Sequence, residues 1–209
     1  ISLKPNYTEA FKNLGNAYKN QGKLGNAIKA YEKAILLNPD YAEIYNNLGN
    51  AYKDKAKLDN SIKAYEKAIS LKPDYADAYN NLGNALHDLG KLDESIKTFK
   101  KVLLLKPDYA FAYNNMGVVL ADQGKLDESN KAFEKALLLN PDYADAYNNI
   151  GKALKDQGKF QEAMDAFKKA LLLKPNHHYA YNNIGNIHRD QGKLEEAIGA
   201  FQKALLINP

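Results

Sequence analysis

The chain has 209 residues, with 29 basic and 25 acidic side chains and a formal net charge of +4. That balance is too mild to indicate a nucleic-acid partner, and no apolar run is long enough to cross a bilayer. The absence of cysteine excludes disulfides and cysteine-ligated metals, and it fits a reducing compartment. We therefore expect a cytoplasmic protein without nucleic-acid or membrane partners.

The sequence consists of six copies of a 34-residue repeat. The seven prolines are spaced 34 apart from Pro5 to Pro209, and six glycines from Gly15 to Gly185 keep the same spacing. We number each repeat from the residue seven before that glycine, so position 1 of the first repeat is Thr8. An unbroken period of this length indicates a stack of repeats. The predicted repeats are 8–41, 42–75, 76–109, 110–143, 144–177 and 178–209, after the end of a preceding repeat at 1–7.

Each repeat predicts a first helix, helix A. Positions 4, 7, 8 and 11 have helical spacing and predict one apolar stripe. An aspartate two residues before the repeat (Asp40, Asp74, Asp142) predicts an N-cap. The helix is expected to end at a glycine suited to the left-handed conformation. Ala56 takes that place in the second repeat, which predicts about 1 kcal/mol of strain.

A second helix, helix B, follows with apolar residues at positions 17, 20, 21, 24, 27 and 28. It is expected to end before the proline at position 32, because the residue before a proline is pushed out of the helical region. Small residues at positions 8, 20 and 27 predict close approach of the helices, with the aromatic residues of positions 4 and 24 between them. Asn130 departs from this pattern, since position 21 is elsewhere apolar.

These positions together resemble the tetratricopeptide repeat (TPR) family over the whole chain. The resemblance implies an all-α solenoid of antiparallel helix pairs coiled into a right-handed superhelix. Helix A would line the concave groove, and helix B would lie outside. The motif indicates an architecture but does not name a ligand.

Asparagine is the strongest functional signal. It is present at position 6 of every repeat and recurs at positions 5 and 9. Because a primary amide both donates and accepts hydrogen bonds, it can hold a peptide backbone without reading side chains. The position-6 ladder is similar to that of arrays of the O-linked N-acetylglucosamine transferase type, where it grips the peptide main chain. The candidate peptide-binding amides are Asn13, Asn47, Asn81, Asn115, Asn149 and Asn183 at position 6, and Asn16, Asn50 and Asn84 at position 9. The open alternative is that these amides only bridge neighbouring helices or turns.

Two further features bear on the ligand. Phe111 and Val118 replace polar groups in the fourth repeat, which predicts an apolar patch in the groove or, equally, drift without function. The carboxylate clamp of chaperone-binding arrays is rejected, because Asp77 and Asn81 stand where that clamp has cations.

The four histidines do not suggest a metal or catalytic site, and no cofactor is predicted. We expect a non-enzymatic protein-interaction scaffold that binds an extended peptide or partner segment in the groove. The alternative is a substrate-recruiting, non-catalytic arm of a multidomain enzyme such as a glycosyltransferase. The sequence begins and ends in the repeat pattern, so we also expect a piece of a longer array. Its uncapped ends would associate head to tail through Ile1 and Leu3 at one end and Leu205, Leu206 and Ile207 at the other.

Overall fold

A computed structural model describes residues 5–208 of the chain, and within them the structure is helical, with no strand. Ile1 and Leu3, named in the expected head-to-tail contact, lie outside the described residues, as do the other residues of 1–4 and Pro209. The chain divides into two compact units, of which the first ends at Pro107 and the second begins at Asp108.

Each unit contains three A helices and three B helices in alternation. The first unit has α1 (Pro5–Asn20), α2 (Leu24–Leu37), α3 (Ala42–Asp54), α4 (Leu58–Leu71), α5 (Ala76–Asp88) and α6 (Leu92–Leu105). The second has α7 (Ala110–Asp122), α8 (Leu126–Leu139), α9 (Ala144–Asp156), α10 (Phe160–Leu173), α11 (His178–Asp190) and α12 (Leu194–Ile207). Each unit is therefore an all-α solenoid of helix pairs, which confirms the predicted fold class.

The predicted turn between helices A and B is confirmed. Its glycines have φ between 71° and 80°, and Ala56 has the same left-handed backbone, with φ of 56°. After α5, the amide of Gly90 donates to the carbonyl of His87 at 2.8 Å, and the amide of Lys91 to that of Leu86 at 2.9 Å. These bonds satisfy carbonyls that the helix end leaves without partners. The turn therefore both stops helix A and reverses the chain.

The two kinds of helix form two layers within a unit. Each A helix packs on its own B helix, and each B helix also packs on the next A helix. Successive A helices touch, as α1 and α3 do, whereas no two B helices of a unit are in contact over the described residues. The A helices are thus the inner layer of the stack. Their side chains that point away from the B helices form the candidate binding surface.

The core depends on a glycine set against an aromatic ring. The ring at position 24 is at most 1% exposed in the first five repeats: Tyr31, Tyr65, Phe99, Phe133 and Phe167. A Cβ added to Gly117 would lie 2.6 Å from Cε1 of Phe133, and the equivalent distances elsewhere are as short. The predicted close approach at position 8 is therefore confirmed.

The apolar stripe of helix A was only partly predicted. Its most deeply buried residues are at positions 3 and 10, for example Ile44, Ala51, Ala146 and Ile187. The aromatic residues of position 4 are only half-buried in every repeat. Alanine carries little apolar signal in a sequence, but its small side chain lets the A helices approach their neighbours.

The predicted aspartate N-caps are wrong. Helices α3, α5 and α9 begin after Tyr41, Tyr75 and Tyr143, and none of these residues makes a side-chain capping bond. Asp40, Asp74 and Asp142 are one residue further out. Before helix A of the sixth repeat, His177 replaces the tyrosine, and its Nδ1 accepts a hydrogen bond from the amide of Ala180 at 3.4 Å.

Candidate functional site

The candidate site is the surface that we call the groove face, made of positions 2, 5, 6, 9, 12 and 13 of the A helices in a unit. Its asparagines are arranged in pairs that cross from one repeat to the next. The Nδ2 of Asn81 donates to Oδ1 of Asn46 at 3.0 Å, and the same bond joins Asn149 to Asn114 and Asn183 to Asn148, also at 3.0 Å. The bridging role left open by the sequence is therefore present.

The two members of each pair differ in exposure. The position-5 amides of Asn46, Asn114 and Asn148 are buried, whereas the position-6 amides of Asn81 and Asn149 are half-buried. The cross-repeat bond uses one of the two N–H groups of the position-6 amide. Among the described residues, that bond leaves the second N–H and Oδ1 of Asn81 unused, whereas Oδ1 of Asn115 accepts a hydrogen bond from Nδ2 of Asn114 at 3.3 Å. Position 5 thus orients an amide that keeps hydrogen-bonding capacity.

In the first repeat, charged side chains connect position 5 to the next repeat in place of an amide pair. Position 5 is Lys12, whose Nζ lies 2.7 Å from Oε1 of Glu9 and 3.2 Å from Oε1 of Glu43, and donates to Oη of Tyr41 at 3.2 Å. Burial alone would lower the pKa of Lys12, but these hydrogen bonds outweigh it and hold the pKa above its usual value. Lys12 joins two repeats and does not present a free cation, which agrees with rejecting the carboxylate clamp.

Two of the position-9 amides already accept a hydrogen bond from a tyrosine of their own repeat. Oη of Tyr31 donates to Oδ1 of Asn16, and Oη of Tyr65 donates to Oδ1 of Asn50, both at 2.7 Å. Burial raises the pKa of Tyr31 to about 12, so its hydroxyl keeps the proton that it donates. Asn84 has no such donor, since Phe99 takes the place of the tyrosine. The three predicted position-9 amides therefore differ in what they have left for a ligand.

The predicted apolar patch of the fourth repeat is two separate features. Phe111, which is 51% exposed, contacts two tyrosine rings edge-on, with centroid distances of 6.0 Å to Tyr109 and 5.0 Å to Tyr143. Val118 is seven residues along α7, roughly 10 Å away by the helical rise, and lines a cavity with Ala121. The tyrosines at position 34 were not singled out from the sequence, because they precede helix A and look like part of a turn.

Ion pairs connect the last turns of neighbouring A helices. Nζ of Lys19 lies 3.4 Å from Oδ2 of Asp54, and Nζ of Lys53 lies 3.2 Å from Oδ2 of Asp88. In both pairs position 12 of one repeat reaches position 13 of the next. At the other end of the helix, Nε2 of the buried His177 lies 2.9 Å from Oδ1 of Asp145, and burial is the main cause that lowers the pKa of His177.

Two further observations concern metal sites and membrane spans. Among residues 5–208, no three His, Cys, Asp or Glu side chains converge as a metal site requires. None of the described helices is both long enough and apolar enough to cross a membrane.

A row of exposed leucines on the B helices was also missed. At position 29, Leu36, Leu104, Leu138, Leu172 and Leu206 are 73–87% exposed, and Ser70 replaces leucine in the second repeat. The leucines recur with the 34-residue period and so are visible in the sequence. An apolar residue near the end of an amphipathic helix nevertheless predicts a buried side chain, and these leucines are exposed.

Helix pairs of 34 residues, a glycine under a buried ring and a left-handed turn define a tetratricopeptide-repeat protein. The family model described as the cilia and flagella-associated protein 70 C-terminal domain matches residues 6–208, and the chain belongs to that family. No curated protein matches the chain. The more specific similarity to arrays of the O-linked N-acetylglucosamine transferase type stays a prediction.

Solved structures give the same architecture. The crystal structure of MamA protein is 29% identical with a TM-score of 0.68, over 81% of this chain and 93% of that one. YrrB, described as a TPR protein with an unusual peptide-binding site, is 25% identical with a TM-score of 0.64, over 87% of this chain and 90% of that one. The Cut9–Hcn1 complex is 21% identical with a TM-score of 0.86, over 99% of this chain and 41% of that one, and shows the fold alone.

Proposed function

We propose that the chain is a protein-interaction scaffold whose groove face binds an extended segment of a partner by its main chain. The observation that carries this proposal is the oriented amide at position 6, which is repeated with the same 3.0 Å bond in both units. Repeat stacks of this kind use their inner surfaces for binding. The peptide-binding site of YrrB supports the same use here.

The spacing of the amides suits an extended peptide. Packed helices lie about 8–10 Å apart, and an extended chain rises about 3.3 Å per residue. One position-6 amide therefore meets about every third residue of the ligand. Oδ1 accepts from a ligand N–H, and the second N–H of Nδ2 donates to a ligand carbonyl. The buried position-5 amides are positioning residues, because they hold the position-6 amides in this orientation.

Side-chain preference arises where the groove face departs from the amide pattern. Phe111 offers an exposed ring beside Tyr109 and Tyr143, and we assign it to an apolar or aromatic ligand side chain. Val118 contributes to a second site two helical turns away. The proposed role is recruitment, since the described residues of the groove face present amides and ion pairs.

The test compares two variants that break the same bond. Asn46→Ala and Asn81→Ala each remove the 3.0 Å amide pair, so they should lower stability by similar amounts. Only Asn81→Ala removes an amide that we assign to the ligand. Peptides would be selected from a random phage-displayed library on the full chain, and their affinities measured by calorimetry. We expect Asn81→Ala to weaken binding about 2- to 12-fold, which corresponds to one net hydrogen bond, and Asn46→Ala to weaken it less.

Combining Asn81→Ala, Asn115→Ala and Asn149→Ala should abolish binding, while Asn60→Ala on the exposed surface of α4 should have no effect. Equal losses from Asn46→Ala and Asn81→Ala at matched stability would show that the amides only bridge helices. The groove proposal would then be wrong.

A further inference from the structure

A cavity on the groove face of the second unit lies between α7 and α9. Its cavity volume is about 50 Å³, and it is open to solvent. Its apolar surface comes from Val118, Ala121, Ala153 and the ring of Phe133, and its polar lining is Asp122, Asn149, Lys152 and Asp156. The cavity is thus an apolar slot with carboxylates among its polar groups.

The register of the repeats explains why the cavity exists. In the first two repeats, position 12 is a lysine that crosses to the aspartate at position 13 of the next repeat, as Lys19 does to Asp54 at 3.4 Å. In the fourth repeat, position 12 is Ala121, so no lysine crosses to Asp156. The cavity is lined by both Ala121 and Asp156, so it lies between the two positions that a crossing lysine joins in the first two repeats.

The two carboxylates that line the cavity, Asp122 and Asp156, have different cationic neighbours. Nζ of Lys152 lies 3.9 Å from Oδ1 of Asp122, which places that ammonium beside that carboxylate. Among the described residues, Asp156 pairs only with the adjacent Lys155, whose Nζ lies 3.8 Å from Oδ1, and both groups are partly exposed. Such an exposed, long ion pair contributes little. Asp156 can therefore accept a better-placed cation from the cavity side.

We propose that this cavity binds a lysine or arginine side chain of the ligand, which takes the place of the missing lysine of position 12. The aliphatic stem would cover Val118, Ala121 and Ala153, and the cationic head would reach Asp156. Long cationic side chains commonly lie in this way, with the stem on apolar surface and the head on a carboxylate. The assignment rests on the proposed peptide binding, and it adds a preference for a cationic ligand residue to the apolar or aromatic preference proposed at Phe111.

The cavity can be tested without any peptide. The probe is n-butylguanidinium, with n-butanol as a neutral probe of the same stem length, titrated against the full chain and followed by the methyl NMR signals of Val118, Ala121 and Ala153. We expect saturable shifts with n-butylguanidinium at these methyls and weaker ones with n-butanol. Asp156→Asn should reduce the affinity for n-butylguanidinium about two- to fivefold, as expected for a partly exposed ion pair. Ala121→Lys should fill the cavity and abolish the shifts of the two remaining reporters, the Val118 and Ala153 methyls.

Asp190→Asn is the matched control, because Asp190 holds position 13 in the next repeat but pairs with Arg189 at 3.0 Å. It should leave probe binding unchanged. Equal shifts with both probes, or shifts that persist in Ala121→Lys, would overturn the proposal. The absence of saturable shifts would overturn it too, and would leave the comparison of Asn46→Ala with Asn81→Ala to decide peptide binding separately.

Discussion

Two glycines inside helices, one packed against a ring and one in open space, are expected to respond to alanine in opposite directions. Gly117→Ala would put a Cβ 2.6 Å from the buried ring of Phe133, so we expect a loss of about 1–3 kcal/mol. Gly199 lies inside α12 with no atom within 4 Å of an added Cβ, so Gly199→Ala should gain about 0.5–1 kcal/mol from backbone entropy. Urea unfolding of both variants measures these changes. A stable Gly117→Ala would mean that the ring moves aside at little cost.

Ala56 offers a second paired test, this time of backbone strain. Its φ of 56° is in the left-handed region, where an L-residue costs about 1–2 kcal/mol. We expect Ala56→Gly to raise the free energy of unfolding by about 1 kcal/mol. The reverse change at the equivalent turn, Gly90→Ala, should lower it by a similar amount, since nothing lies within 4 Å of the added Cβ. If neither change moves the thermal midpoint, the turns relax at no cost.

Asn130 is half-buried, and its side-chain oxygen is the part of the amide that concerns stability. Its Oδ1 is buried and accepts no hydrogen bond among the described residues, at a position where Ile28, Ile96 and Met164 stand in other repeats. An unsatisfied buried group costs about 1–3 kcal/mol, so Asn130→Ile should raise the free energy of unfolding by that order. Asn60→Ala, at an exposed amide of α4, is the control and should change little. A lower melting temperature in Asn130→Ile would assign the amide a specific role.

At the scale of the helix start, His177 makes stability depend on pH. Burial lowers the pKa of His177, so the folded chain resists protonation that the unfolded chain accepts. Above the ordinary histidine pKa of about 6.5 the group is neutral in both states, and stability falls as the pH drops from there toward the lowered pKa. His177→Tyr, the residue found here in other repeats, should reduce that loss. Urea midpoints at about pH 7.5 and about pH 5.5 measure it. The same pH dependence in both proteins would contradict the assignment.

The elements themselves were largely predictable, and the contacts between them were not. Proline and glycine act locally, so the turn at Gly90 and the end of helix B before Pro39 followed from the sequence. The amide pair of Asn46 and Asn81 joins residues 35 apart in sequence, and only packing brings them within 3.0 Å. Phe111 and Val118 were predicted to form one patch, but packing places them in different clusters, and the sequence alone does not show this packing.

At the scale of the whole molecule, we expect reversible head-to-tail association. On α12, Leu205 is 62% exposed, and with Tyr179 and Phe201 it lines an open apolar surface of a kind that the next repeat covers in the interior of the stack. A contact between unlike ends propagates and does not close. Sedimentation velocity over a range of concentrations should show mass rising with concentration in the parent and not in Leu205→Glu. Leu138→Glu, at an exposed leucine of α8, is the control. A monomer at every concentration would contradict the expectation.

The position-29 leucines have a practical consequence for following the protein in solution. Leu138 and Leu172 hold the same position in adjacent repeats and are each 73% exposed, so replacing either removes almost no packing. The chain contains no cysteine. Cysteines placed at these two positions would therefore be the sole thiols, and each would project a fluorophore into water from an equivalent point on α8 and α10. Energy transfer between the two dyes would report directly how the spacing of adjacent repeats changes when a peptide is added.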